Sequence, residues 1–309
     1  MATNSTLDMS QTLRPAPIRS RAGLRFVADL WALTKPEINL LIAITVLVSF
    51  MVARHDFWLL SIVPAVSAMV GTLLVSSGAA ALNQLLERGF DSRMRRTGRR
   101  PLVAGSVTPR SALVFGATIS ILGLLYLALW VNLLSMVIAG LTFLFYLLAY
   151  TPLKRITPLC TLVGAIPGAA PPLIGWAAAT GTLDRRAFAL YALLYLWQFP
   201  HFMAIAWMYR DDYERAGYRV LPGYKERRLF AALQALIPAA LLIPVSLVPW
   251  IGNQAGNVYL AVAIFLGFGF AWLTLRFSLR ATNVTARQLL FASIVYLPTV
   301  FIFLLMDKR

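Results

Sequence analysis

The sequence predicts an all-α membrane protein, a polytopic bundle of nine transmembrane helices with its N-terminus in the cytoplasm and its C-terminus in the periplasm. Three observations predict it. Apolar residues make up 59% of the chain and the mean hydropathy is +0.73, far from the balance of a soluble globular domain. The apolar residues collect in runs of about 20, the length a helix needs to cross roughly 30 Å of hydrocarbon. The basic residues sort by loop: with the N-terminus inside, 22 of the 28 lysines and arginines fall on the cytoplasmic side and five on the other, with Lys35 left inside the first span. That asymmetry is the positive-inside pattern. It accounts for the net charge of +16 without nucleic acid.

In chain order the runs lie near 30–53, 58–82, 111–130, 131–150, 157–180, 187–209, 229–249, 257–277 and 288–306. Ahead of them, residues 1–27 are polar, carry Pro15, Pro17 and scattered arginines, and read as a flexible cytoplasmic tail before a membrane domain at 28–309. No short apolar core with a small-residue cleavage site marks a secretory leader. The expected location is therefore the bacterial inner membrane, with the mitochondrial inner membrane as the alternative. Arg54 and His55 share a short outer loop and read as solvated. Only Trp130, Val131 and Asn132 mark a turn between the third and fourth spans. In the fifth span Pro167, Pro171 and Pro172 break or kink the helix, and Cys160, alone in the chain, offers neither a disulfide nor a metal-ligand spacing. In the sixth, Pro200 precedes His201. Trp197, Phe199, Tyr191 and Tyr195 on that span read as membrane-belt residues, with a role in lining an apolar chamber as the alternative.

The twelve acidic residues are sparse enough for their placement to carry information. In "NQLLERGFDSRMRRTGRRPL", residues 83–102, Asn83, Glu87 and Asp91 are spaced four apart, so on one helix they stack along one face. Adjacent carboxylates repel each other, whereas a hard cation such as Mg²⁺ takes oxygen ligands, commonly one or two carboxylates plus substrate phosphates. A solvated helix end is the plainer reading of this pattern taken alone. A second segment, "YRDDYERAGYRVLPG", residues 209–223, follows a span four helices later on the same expected side and again joins acids to arginines. Two such segments on one face could hold two sides of a metal-diphosphate, with Arg96, Arg100 and Lys154 balancing the remaining negative charge.

At these residues the chain resembles the UbiA-type intramembrane prenyltransferase superfamily, whose members bind an isoprenyl diphosphate through two acidic motifs and Mg²⁺. "LTKPEINLL", "YTPLKRITP", "GAIPGAAPPLIGWAAATG" and "LWQFPHFMAIAWMYRDDYERAGYRVLP" are similar to the haem-modifying branch of that superfamily. The resemblance covers residues from about 28 to the C-terminus. It implies Asn83, Glu87, Asp91, Asp211 and Asp212 as metal-holding catalytic residues, and Arg96, Arg100 and Lys154 as diphosphate-binding. Tyr209 and Tyr213 flank Asp211 and Asp212 where many relatives have aspartates four apart. The implied reaction moves a farnesyl group from farnesyl diphosphate to a vinyl group of haem B with addition of water, giving haem O. A haem-processing enzyme of terminal-oxidase assembly is the implied partner.

His201 has two readings: contact with haem through a neutral imidazole, or a polar repair that hydrogen-bonds carbonyls freed by the Pro200 kink. Two other functions fit parts of the pattern, prenylation of an aromatic quinone precursor and transport of an anion. A transporter usually sets its polar ligands near the bilayer midplane. Here the acids sit at helix ends, which favours an enzyme.

Overall fold

The structure is a computed structural model that describes residues 18–54, 59–223 and 225–309; His55 lies outside them. Its described elements are helices. They are α1 (Ile18–Leu33), α2 (Pro36–Ala53), α3 (Leu59–Asp91), α4 (Pro101–Ala104), α5 (Pro109–Trp130), α6 (Leu133–Phe145), α7 (Thr151–Leu153), α8 (Cys160–Gly168), α9 (Pro171–Thr180), α10 (Arg185–Met208), α11 (Arg210–Ala216), α12 (Arg227–Ile251), α13 (Asn257–Arg280) and α14 (Asn283–Met306). Nine segments among the described residues are long and apolar enough to cross a membrane, and the chain is a multi-pass membrane protein.

The boundaries follow local chemistry. Thr108 caps α5 by accepting from the Ser111 amide, Asn132 caps α6 from Ser135, and Asp184 caps α10 from the amides of Arg186 and Ala187. The turn expected at 130–132 is thus real, and Asn132 also ties it to α9 by donating to the Ala177 carbonyl at 2.8 Å. The fifth span breaks where its prolines require. α8 ends at Gly168 and α9 restarts at Pro171, which has no N–H to continue the ladder.

The N-terminal segment differs from the sequence expectation. Ile18–Val27 belongs to a helix, where the polar composition reads as an irregular tail. The reason is tertiary: Leu30 and Leu33 of α1 pack against Ala81, Leu102, Val107 and Ala112, a docking that composition does not reveal. As the spacing of Asn83, Glu87 and Asp91 requires, α3 runs 33 residues to Asp91, past the apolar run that ends near 82, and Gly89 does not stop it.

The helices pack closely because small residues line their contacts. A Cβ on Gly78 of α3 would lie 2.4 Å from the Gly116 carbonyl of α5, and one on Gly175 of α9 would lie 2.2 Å from the Val46 carbonyl of α2. The largest apolar core joins α10, α12, α13 and α14 through Leu193, Met203, Leu242, Phe270, Phe277, Tyr296 and Leu304. Large apolar residues such as Leu129, Phe265 and Phe291 remain exposed on the outside, as expected of a surface that meets lipid tails. Contacts fix the two ends of the bundle. Arg210 donates to Asn283 at 2.7 Å and the Arg219 amide to the Lys154 carbonyl at 2.7 Å at one end. At the other, Lys308 donates to the carbonyls of Met51 and Arg54.

Candidate active site

The extension of α3 places Asn83, Glu87 and Asp91 on one unbroken helix, one turn apart, and all three are at least 96% buried. A buried carboxylate needs a partner, and each acid has one. The Lys154 ammonium donates to Glu87 Oε1 at 2.9 Å, and Arg100 to Asp91 Oδ2 at 2.5 Å. Thr97 donates to the Asp91 carbonyl at 2.7 Å, which holds the chain that carries Arg100 back over the helix end. Asn83 accepts from Lys35 at 3.1 Å and donates to Thr151 at 3.1 Å.

Lys154 is delivered by an irregular stretch. Between α6 and α7, Tyr146–Tyr150 form a π-helical turn, a feature found mostly as a single turn within a helix and often at functional sites. Thr151 then faces Asn83, while Lys154 reaches Glu87 and also sits 4.5 Å from the centre of the Tyr150 ring. Burial works against the Lys154 charge, but the Glu87 carboxylate opposes it through its charge and a direct hydrogen bond, and the ammonium is held above the ordinary lysine range. Lys35 lies just before α2, in a left-handed conformation at φ 52°. Burial pushes its ammonium down to about 7, helped by the charges of Arg100 and Lys154 and opposed by Glu87 and Asp91.

The second acidic segment forms α11 and closes over this cluster. Met94, Ala216 and Tyr218 make a small apolar core with Phe90 and Tyr213, and the Tyr218 ring lies 5.2 Å from that of Phe90. Arg96 joins the two segments. Its amide donates to Asp212 at 3.4 Å, its guanidinium donates to the Tyr213 hydroxyl at 3.3 Å, and the guanidinium carbon lies 4.6 Å from the centre of the Tyr209 ring. The two tyrosines that stand in place of spaced aspartates therefore hold an arginine. Asp212 is 12% exposed and pairs with Arg215 at 3.1 Å, whereas Asp211 is 76% exposed and has Arg210 at 3.7 Å. The structure thus brings together Asn83, Glu87, Asp91, Arg100 and Lys154, joins Arg96 to Asp212 and the tyrosines of the second segment, which packs beside Phe90 and Met94, and leaves Asp211 on the outer side.

Lys35 and Thr151 are members of the cluster that sequence reasoning missed. The signal for Lys35 was present, since an ionisable residue in an apolar run is a functional candidate by default. Nothing local distinguishes Thr151.

The donor set can be judged against Mg²⁺. Among the described residues no three His, Cys, Asp or Glu side chains come together as a metal group, so the protein offers two carboxylates and one amide oxygen on the α3 face. That fits a hard cation that keeps several positions for water and phosphate oxygens. It does not fit a closed, all-protein cage.

His201 lies on α10, away from this cluster. Its Nδ1 is 2.8 Å from the Ser293 hydroxyl of α14, and its ring stacks on Trp197 with centroids 4.9 Å apart. The Trp197 indole donates to the Ser293 carbonyl at 2.9 Å. The reading in which His201 caps carbonyls freed by Pro200 is not what the contacts show.

Residues 41–295 match the UbiA prenyltransferase family. The chain belongs to the UbiA prenyltransferase family, a class of intramembrane prenyltransferases that this helical bundle and its two acidic segments define. Among individual relatives, it is 40% identical over 309 residues to the protoheme IX farnesyltransferase of Koribacter versatilis, covering 97% of this chain and 99% of that one. It is 44% identical over 287 residues to the protein of the same name from Solibacter usitatus, covering 91% and 98%. Among solved structures, a digeranylgeranylglyceryl phosphate synthase superposes with a TM-score of 0.75 at 17% identity, covering 92% of this chain and 98% of that one. A UbiA homologue from Archaeoglobus fulgidus bound to GPP and Mg²⁺ superposes with a TM-score of 0.65 at 14% identity, covering 89% and 99%. These two likenesses establish the fold.

Proposed function

We propose that this protein transfers a farnesyl group from farnesyl diphosphate to a vinyl group of haem B, with addition of water, to give haem O and diphosphate. The relatives at 40% and 44% identity that carry the name protoheme IX farnesyltransferase support the acceptor and the prenyl length. The observation that carries the chemistry is the buried pair of ion pairs, Glu87 with Lys154 and Asp91 with Arg100, at one end of an apolar bundle.

In this reading Asn83, Glu87 and Asp91 would hold Mg²⁺ and Asp212 would join them from the second segment, while Asp211, 76% exposed on the outer side, would have to turn inward to take part. When bound there, Mg²⁺ would supply positive charge against the departing diphosphate. Lys154, Arg100 and Arg96 donate to the diphosphate oxygens and stabilise the negative charge that builds as the allylic C–O bond breaks. The electron-rich vinyl carbon of haem attacks the allylic carbon, and water adds to the neighbouring carbon and loses a proton. The released diphosphate is a candidate acceptor for that proton. The tyrosines keep Arg96 aimed at the site, and the surrounding bundle shelters the C15 chain and the cationic carbon from water.

His201 is the candidate haem contact. Ser293 donates its only hydroxyl proton to the Leu290 carbonyl at 2.5 Å, so its oxygen accepts from His201 Nδ1–H, and Nε2 carries the lone pair that iron would take. The loop charges support a cytoplasmic N-terminus and a periplasmic C-terminus, and the bacterial relatives support a bacterial inner membrane. A haem-processing enzyme of oxidase assembly would take the product.

The deciding experiment is the product mass after purified protein is incubated with Mg²⁺, haem B and farnesyl diphosphate, beside a parallel reaction with 4-hydroxybenzoate. A haem product heavier by one farnesyl group and one hydroxyl supports the proposal. Prenylation of 4-hydroxybenzoate with haem unchanged overturns it in favour of a quinone precursor.

A further inference from the structure

A groove of about 600 Å³ lies between α13 and α14, on the outside of the bundle and at the same end as the acidic segments. It is lined by Arg276, Arg287, Asn283, Gln288, Leu273, Val284, Phe291 and Ala292. Every charged group among these is cationic. Neither arginine makes an ion pair among the described residues, and the Asn283 Oδ1 is already taken by Arg210 at 2.7 Å. The Asn283 and Gln288 amide N–H₂ groups therefore remain as donors beside the two guanidiniums, with the Gln288 Oε1 as a neutral acceptor, so donors and positive charge predominate in the polar part of the groove. Below it the lining turns apolar, and Val284 and Phe291 are 66% and 69% exposed on a surface that meets lipid. The first turn of the long helix α14 adds its positive end to the same spot.

We propose that this groove is a binding site for one anionic phospholipid of the surrounding leaflet, with the phosphate between Arg276 and Arg287 and an acyl chain along Leu273 and Phe291. The charge selects an anion, and the adjoining exposed apolar wall selects one that carries a hydrocarbon chain. Basic pockets between transmembrane helices hold anionic headgroups through the same combination. The site is separate from the candidate active site and does not depend on the reaction proposed for it.

The test is native mass spectrometry of the full chain released from nanodiscs of pure phosphatidylcholine, or of phosphatidylcholine and phosphatidylglycerol in equal amounts. Wild type should retain one phosphatidylglycerol that the R276Q/R287Q double variant loses, with apparent affinity lowered about tenfold or more. A V284E variant keeps both arginines but brings a carboxylate to the rim, and it should show the same loss even if the double variant fails to fold. R25Q/R110Q removes the same charge from α1 and the start of α5, outside the groove lining, and should retain the lipid. Equal retention by wild type, R276Q/R287Q and V284E would overturn the proposal. So would retention of phosphatidylcholine as strong as that of phosphatidylglycerol, or displacement of the lipid by inorganic phosphate at matched concentration.

Discussion

The Lys154 ammonium and the Glu87 carboxylate meet at 2.9 Å although they lie 67 residues apart, and both side chains are largely buried. Removing one partner of such a pair leaves an uncompensated charge, which costs about 3–5 kcal/mol. Lys154→Ala should therefore lower the thermal midpoint in detergent more than Glu87→Gln, because Gln keeps an oxygen that accepts from Lys154. Midpoints equal to that of the wild type in both variants would show that the pair contributes no stability.

Asp91 and Glu87 are expected to act through the metal. Asp91→Asn and Glu87→Gln should each lower turnover on the order of 100-fold while the protein still elutes as a folded species on size exclusion. Chelation with EDTA should abolish wild-type activity, and added Mg²⁺ should restore it. Near wild-type turnover in both variants would remove these residues from the metal site.

His201 and Ser293 can be separated from the diphosphate site. His201→Ala should weaken haem retention and shift the Soret band, with the KM for farnesyl diphosphate nearly unchanged. Ser293→Ala frees the imidazole to rotate or change tautomer, and a weaker form of the same spectral change is expected. A His201→Ala protein with the wild-type haem spectrum and a lower thermal midpoint would identify the His201–Ser293 hydrogen bond as a packing feature.

The sidedness proposed from the arginines has a direct check. Reporters fused after Arg309 should score periplasmic, whereas those inserted within 92–108 or 216–228 should score cytoplasmic. A C-terminus on the same side as the two inserted positions would contradict the proposed crossing count.

Much of the membrane architecture was legible because hydrophobic length is a local property, and each of the nine apolar runs overlaps a helix long enough to span. The stacking of Asn83, Glu87 and Asp91 was legible for a similar reason, since a spacing of four maps onto one helix face. Long-range pairing was not. Lys154 finds Glu87, Arg96 finds Tyr209 and Tyr213, and His201 finds Ser293, each through the packing of separate helices. Lys35 was hidden within an apolar run, and its place beside Asn83 depends on the backbone turning at φ 52° between α1 and α2. Helix α1 was hidden because its polar composition masks the few leucines that dock it.

The π-helical turn at Tyr146–Tyr150 gives this part of the protein room to change in length. Each helical residue advances the side chains by about 100° and 1.5 Å. The wide turn absorbs one residue more than an α-helix needs, so the faces before and after it stay in phase as though the span were one residue shorter. Evolution could delete a residue from 146–150 and leave Lys154 turned toward Glu87. The same deletion a few positions earlier, within Leu133–Phe145, would have no slack to draw on unless the wide turn gave up its extra residue.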